Sequence, residues 1–80
     1  MTEFLLYGTD GCHLCEQAEQ LLSEVGLNFA KLDIIDDEQA QQCYAVRIPV
    51  LRHRSGLELN WPFDSQQLRD FIVQLELDLP

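Results

Sequence analysis

The chain has 80 residues, of which 46% are hydrophobic, and its 14 acidic residues outnumber its 5 lysines and arginines, giving a net charge of -9. This composition predicts one small globular domain over residues 1–80 and excludes a disordered chain. The negative charge argues against nucleic acid as a partner, because phosphates must be neutralised by basic side chains. No apolar run could cross a membrane, and the N-terminus lacks the basic region of a signal peptide, so we expect a cytoplasmic protein.

The first predicted unit is a strand, a helix and a second strand. The apolar residues 4–7 favour a strand over Glu3–Tyr7, and a helix follows from about Cys12 to Val25, ended by Gly26. That helix carries one apolar stripe, formed by Leu14, Ala18, Leu21, Leu22 and Val25. The second strand runs from Leu27 to Ile34, and its expected buried residues are Phe29, Leu32 and Ile34. A unit of this length predicts a right-handed crossover between parallel strands.

The second half of the chain predicts a short helix, a hairpin and a last helix. Asp36-Asp37-Glu38 opens the short helix, which must end before Ile48-Pro49 because a residue before proline is pushed out of the helical region. Its inner stripe is Ala40, Cys43 and Tyr44. Strands over Val50–Arg54 and Leu57–Leu59 form a hairpin around Ser55-Gly56.

The last helix begins with a predicted capping box, in which Asp64 and Gln67 lie three positions apart. Its expected core residues repeat at helical spacing and are Leu68, Phe71, Ile72, Leu75 and Leu79. The complete order of elements is therefore β-α-β-α-β-β-α.

A Cys-x-x-Cys motif lies at the junction between the first predicted strand and the first predicted helix. At that junction Cys12 meets free backbone N–H groups and the positive end of the helix dipole, which both stabilise a thiolate. Cys15 lies on the same side of the first turn, close enough to form a disulfide. In a reducing compartment such a pair is typical of redox catalysis or metal binding rather than of a structural disulfide.

The motif and the order of elements together indicate a thioredoxin-like fold. The chain resembles the glutaredoxin branch of that superfamily, and especially the short glutaredoxin-like proteins of bacteria. The residues that carry this resemblance are Leu6-Tyr7-Gly8, Cys12-His13-Leu14-Cys15, Ile48-Pro49-Val50 and Asp64. The resemblance implies an α/β fold with a four-stranded mixed sheet flanked by three helices.

The resemblance also implies a role for each matching residue. Cys12 would be the nucleophile and Cys15 the resolving cysteine of a thiol–disulfide oxidoreductase acting on a disulfide-containing protein or a small thiol compound. Pro49 would be a cis-proline facing the pair, and Ile48 would offer its amide and carbonyl to an extended substrate. The remaining candidate substrate-binding residues are His13, Leu14 and Asp64.

Two departures from the family predict weak binding of glutathione. Glutaredoxins usually carry a lysine two positions before the first cysteine, where this chain has Asp10. They also carry a Gly-Gly pair shortly before the aspartate that holds the α-amino end of glutathione, where this chain has Trp61-Pro62 before Asp64.

Several other residues admit two interpretations. A charged His13 would favour the Cys12 thiolate, whereas Asp10 would oppose it. Cys43 is expected to be buried and inert. Arg52 and Arg54 fall on one face of their strand and His53 on the other, forming either a solvated edge or a contact for an acidic partner. Trp61 is either part of the core or a contact beside the active site.

Two alternative functions stay open. The chain could carry a metal on Cys12, with further ligands drawn from Cys43, His13 and His53, or an iron–sulfur cluster that bridges two chains, as is known in the wider family. It could also be a redox-inactive interaction module that keeps only the fold. We assign no resident metal or cofactor, and we expect a monomer.

Overall fold

The computed structural model describes residues 3–78, with side chains through residue 75; the predicted core residue Leu79 lies outside this range. The elements, in chain order, are β1 Phe4–Gly8, α1 His13–Val25, β2 Ala30–Asp33, a 3-10 helix Ile34–Asp36, α2 Glu38–Tyr44, β3 Val50–His53, β4 Glu58–Asn60 and α3 Ser65–Asp78.

The strands form one mixed sheet in the order β2-β1-β3-β4. β1 and β2 are parallel, while β1 pairs with β3, and β3 with β4, in antiparallel fashion. The expected four-stranded mixed sheet with three helices is therefore confirmed. In the β1–β3 register Tyr7 lies opposite Val50, so Gly8 at the end of β1 and Pro49 just before β3 lie at the same end of this strand pair.

The sheet separates two hydrophobic clusters because successive side chains of a strand point to opposite faces. Phe4 and Leu6 of β1 pack with residues of α1 and α3, whereas Tyr7 packs with residues of α2. Leu22 and Leu51 are fully buried in the first cluster, and each contributes about 2 kcal/mol of hydrophobic free energy. Helices α1 and α3 thus cover one face of the sheet and α2 the other.

The predicted second strand is shorter in the structure than in the sequence pattern. Gly26 adopts a left-handed conformation, and the amide of Leu27 donates to the carbonyl of Leu22. Both residues therefore form the C-terminal cap of α1 and cannot belong to the second strand. Strand β2 begins only at Ala30. Ile34 is buried as expected but starts the 3-10 helix, and Phe29 and Leu32 are only partly buried.

Most helix starts agree with the capping residues expected from the sequence. Asp37 caps α2, and its Oδ1 accepts from the amides of Gln39 and Ala40. The capping box before α3 is confirmed, since Asp64 accepts from the Gln67 amide at 2.8 Å and its own amide donates to the Gln67 side chain at 3.0 Å.

The hairpin strands differ by one residue from the prediction. β3 ends at His53 because the chain turns there, with the amide of Gly56 donating to the carbonyl of His53 at 2.8 Å, and β4 extends to Asn60. Among the helices within residues 3–78, none has the length and apolarity needed to span a membrane.

Candidate active site

Cys12 is the N-cap of α1. Its backbone is extended, its carbonyl accepts from the amide of Glu16 at 3.2 Å, and its sulfur accepts from the amide of Cys15 at 3.2 Å. The sulfur therefore occupies the position where orphan amides and the helix dipole favour negative charge. This arrangement stabilises a thiolate relative to a thiol.

The two cysteines differ in their exposure. Cys12 is partly exposed, whereas Cys15, inside the first turn of α1, is only 3% exposed. Their Cα atoms are 5.2 Å apart, and their sulfurs lie at disulfide distance. An outside thiol or disulfide can reach Cys12 directly, while Cys15 is reached through Cys12.

Gly8 forms the floor beneath the pair. A Cβ atom on Gly8 would lie 3.0 Å from the sulfur and 3.3 Å from the Cβ of Cys15, so any side chain here would push against the buried cysteine. The peptide bond between Ile48 and Pro49 is cis, and Pro49 is fully buried directly before Val50, the partner of Tyr7 in the register. Gly8, which is in close contact with Cys15, and Pro49 therefore lie at the same end of the β1–β3 pair.

Ile48 differs from its expected role. Its amide donates to the carbonyl of Tyr44 at 3.0 Å, and the neighbouring amide of Arg47 donates to the same oxygen at 2.8 Å. The expectation that the Ile48 amide is free for a substrate strand is therefore wrong, because the turn that ends α2 uses it. Of the two backbone groups of Ile48, the carbonyl is the one that a substrate strand could use for a hydrogen bond.

The remaining candidate residues lie at the surface. His13 and Leu14 are exposed in the first turn of α1, and Nδ1 of His13 lies 3.8 Å from the carboxylate of Glu16. Asp64 is exposed and caps α3. Trp61 joins this segment to the site, because its amide donates to the Pro49 carbonyl at 3.3 Å.

Trp61 is half-buried against the core and packs edge-on against Phe63, with ring centroids 5.1 Å apart. Its interpretation as part of the core therefore holds. The Trp61–Pro62 peptide bond is cis as well, a feature that no sequence signal indicated.

A polar network that the sequence analysis missed holds the segment before Pro49. The hydroxyl of Tyr44 donates to the carboxylate of Glu58, and Arg47 donates to Glu58 and to Asn60, each at 2.8 Å. The hydrogen bond to Glu58, reinforced by burial, raises the pKa of Tyr44 to about 12. The bonds from Tyr44 and Arg47 lower the pKa of Glu58. The network fastens the end of α2 to β4.

Cys43 is exposed, so the expectation of a buried thiol is wrong. Ala40 and Tyr44, one turn apart, supply the buried positions of α2 and rotate Cys43 outward. It borders a groove of about 150 Å³ together with Tyr7 and Arg52. Arg52 donates to the hydroxyl of Tyr7 at 3.5 Å, which raises the pKa of Arg52.

His53 belongs to the hairpin rather than to a ligand site. Its ring is 2% exposed, packs against Phe4, and accepts at Nδ1 from the amide of Ser55 at 3.1 Å. Arg54 follows the last residue of β3, is exposed and is paired with Glu3 at 3.4 Å.

The residues proposed as metal ligands do not converge. Within residues 3–78 no three side chains of His, Cys, Asp or Glu come together in a way that could hold a metal ion. Cys12 and Cys15 supply two thiolates, so a tetrahedral centre on them would need two ligands from outside the described side chains.

The mixed four-stranded sheet, the flanking helices and a cysteine pair at the first strand–helix junction define a thioredoxin-like fold. The family model for the "Glutaredoxin-like domain (DUF836)" matches residues 3–73, and the chain belongs to that family. The resemblance seen in the sequence is thereby confirmed. No functionally curated protein matches the chain.

Several solved structures are similar to this chain. The X-ray structure of protein XcR50 from X. campestris is 40% identical with a TM-score of 0.83, and the match covers 89% of this chain and 96% of that one. Protein Ne2328 from Nitrosomonas europaea is 27% identical with a TM-score of 0.67, covering 86% and 88%. A glutaredoxin from Archaeoglobus fulgidus, 19% identical with a TM-score of 0.66 and coverage of 90% and 87%, shares the fold.

Proposed function

We propose that the protein is a thiol–disulfide oxidoreductase that reduces disulfides through Cys12 and Cys15. The observation that carries this proposal is the asymmetry of the pair, with Cys12 partly exposed at the N-cap of α1 and Cys15 buried at disulfide distance behind it. An attacking cysteine needs an environment that favours its thiolate form and access to solvent.

The reaction runs in two exchanges. The Cys12 thiolate attacks one sulfur of the substrate disulfide, forming a mixed disulfide and releasing the other sulfur as a thiolate. The Cys15 thiolate then attacks the Cys12 sulfur, which closes the Cys12–Cys15 disulfide and releases the second substrate thiolate. Two electrons pass from the cysteine pair to the substrate, and a cellular thiol or dithiol reductant returns them in the next cycle.

We propose the cytoplasm as the compartment in which the protein works, because thiols there are kept reduced and can return these electrons. The substrate class that we propose is a protein or small-molecule disulfide, with glutathione as a weak ligand. The acidic surface near the motif and the committed amide of Ile48 both disfavour that tripeptide.

The direct test compares the wild type with Cys12→Ser, Cys15→Ser and, as a matched control, Cys43→Ser. Cys12→Ser should abolish reduction of a peptide disulfide, Cys15→Ser should accumulate a mixed disulfide without releasing it, and Cys43→Ser should behave as wild type. In the reduced protein, Cys12 should be alkylated at least about tenfold faster than Cys15. Equal alkylation rates, or full activity of Cys12→Ser, would refute the assignment.

The same preparations test the alternative of a metal or cluster carrier. A protein purified without oxygen should be colourless and should lose two thiols on mild oxidation, through closure of the Cys12–Cys15 disulfide. Visible absorbance that disappears in Cys12→Ser would favour the carrier instead.

A further inference from the structure

A groove of about 260 Å³ opens beside the cysteine pair. It starts at the loop before the motif and runs between α1 and the end of β2, with Cys15 in its wall. The lining residues used below are Asp10, Cys15, Glu19, Lys31, Asp33 and Asp36. A substrate whose disulfide meets Cys12 therefore has this groove next to it.

The groove is strongly acidic. Its four carboxylates face one cation, Lys31, whose Nζ lies 3.0 Å from the carboxylate of Glu19 and is thereby neutralised. The carboxylates of Asp10, Asp33 and Asp36 take part in no ion pair within the described part of the chain. Four negative charges and one positive charge leave a net charge of −3 in the groove.

Three arginines, Arg47, Arg52 and Arg54, lie toward the opposite edge of the sheet. In the strand order β2-β1-β3-β4 the groove lies at the β2 edge, whereas these arginines lie near β3 and β4. Arg47 is held by Glu58, and Arg54 pairs with Glu3. Arg52 lies on Tyr7. None of the three lines the groove. The fold therefore presents the reactive cysteines beside uncompensated negative charge.

We propose that the natural substrate is a basic polypeptide disulfide, with a lysine or arginine close to its cysteine that enters the acidic groove. The proposal rests on the proposed function and specifies its substrate class. A cleft lined by one sign of charge attracts the opposite charge and raises the rate of encounter. The same charges repel acidic disulfides.

The test uses three synthetic peptides of equal length, each with one internal disulfide flanked by lysine, glutamine or glutamate. Pre-reduced protein is mixed with each peptide, and the second-order rate constant of reduction is measured at low and high salt. The lysine peptide should react at least about tenfold faster than the glutamate peptide at low salt, with a smaller ratio at high salt.

Variants locate the effect. Asp10→Asn/Asp36→Asn should reduce the ratio severalfold, whereas the matched control Glu24→Gln/Asp70→Asn removes two exposed carboxylates outside the groove and should leave it unchanged. Binding of the same peptides to a Cys12→Ser/Cys15→Ser variant in a Cys43→Ser background reports the charge preference without chemistry.

The outcomes separate the two proposals. If no peptide is reduced but the lysine peptide still binds about tenfold more tightly, the oxidoreductase assignment fails and the basic partner stands. If all three peptides are reduced at equal rates and bind with equal affinity, the basic partner is refuted and the oxidoreductase assignment stands.

Discussion

Gly8 and Cys15 are in such close contact that a Cβ atom on Gly8 would lie 3.0 Å from the Cys15 sulfur. Gly8 ends β1, at the same end of the β1–β3 pair as the buried Pro49. The end of one strand therefore determines how deeply the second cysteine of the motif can sit. Gly8 therefore limits the position of the Cys15 sulfur on one side, while Cys12 lies at disulfide distance from it.

Gly8→Ala should displace Cys15 and slow closure of the Cys12–Cys15 disulfide. The added methyl group overpacks a filled space, and we expect the free energy of unfolding to fall by about 1–3 kcal/mol. Urea unfolding and the rate of disulfide closure after mixing with an oxidant measure the two effects. Adding Cys15→Ala removes the sulfur that the methyl group meets, so the stability cost of Gly8→Ala should be smaller in that background. Equal costs in both backgrounds would show that the contact is not the cause.

Cys43 should be the thiol that reacts when the oxidised, folded protein is treated with an alkylating reagent. It is exposed on α2, whereas Cys12 and Cys15 are then joined in a disulfide and cannot react. Mass spectrometry should find one label per chain in the wild type and none in Cys43→Ser. Protection of Cys43 until the protein is unfolded would contradict its exposure.

Cys43 also shows where the sequence was insufficient. Helix α2 has seven residues, and the apolar positions 40, 43 and 44 are compatible with more than one rotation of so short a helix. The structure resolves the choice through Tyr44, whose ring stacks on Tyr7 at 4.4 Å. That contact joins two elements far apart in the chain, and no local pattern contains it.

Features with local causes were predictable. The position of Cys12 at a helix start follows from the apolar run before it, the loop glycines and the helical stripe after it, and the capping box at Asp64 follows from two residues. The Tyr44–Glu58 bond links residues fourteen positions apart, and the commitment of the Ile48 amide depends on how α2 ends. Such features require the tertiary structure.

The Tyr44–Glu58 pair should confine maximal stability to a middle range of pH. The pKa of Tyr44 is raised to about 12 in the folded state, so its contribution is complete below its unfolded pKa of 10 and is lost as pH rises through about 12. The pKa of Glu58 is lowered, so its contribution is present above its unfolded pKa and is lost as pH falls through the folded value.

Tyr44→Phe should therefore lower stability near neutral pH by about 1 kcal/mol, since Glu58 keeps Arg47 as a partner. It should also remove part of the loss at alkaline pH, as measured by urea unfolding across pH. Tyr7→Phe is the matched control, because the chain has two tyrosines and the near-ultraviolet titration of that variant reports Tyr44 alone. Ionisation of Tyr44 near its ordinary pKa of about 10 would rule out the proposed hydrogen bond.

Glutathione should bind much more weakly than it does to an ordinary glutaredoxin. Asp10 places a negative charge where the family usually has a lysine, and proline at position 62 removes a backbone donor near the expected ligand. The structure adds two reasons: the Ile48 amide is bonded to Tyr44, and Arg47 is held by Glu58 and Asn60. Losing two charge-assisted contacts of about 1.5–3 kcal/mol each weakens binding roughly a hundredfold or more.

Asp10→Lys tests this reasoning within the same chain. Replacing repulsion by attraction at an exposed position should strengthen glutathione binding about tenfold, and high salt should reduce the gain. Asp70→Lys makes the same change of charge on α3, away from the motif, and should have little effect.

A glutathione-coupled disulfide reductase assay run beside a thioredoxin-reductase-coupled assay gives the comparison for the wild type. Wild-type turnover with glutathione equal to that of an ordinary glutaredoxin would mean that other residues replace the missing contacts. In that case the negative charge of Asp10 in the acidic groove would not determine which disulfides the protein reduces.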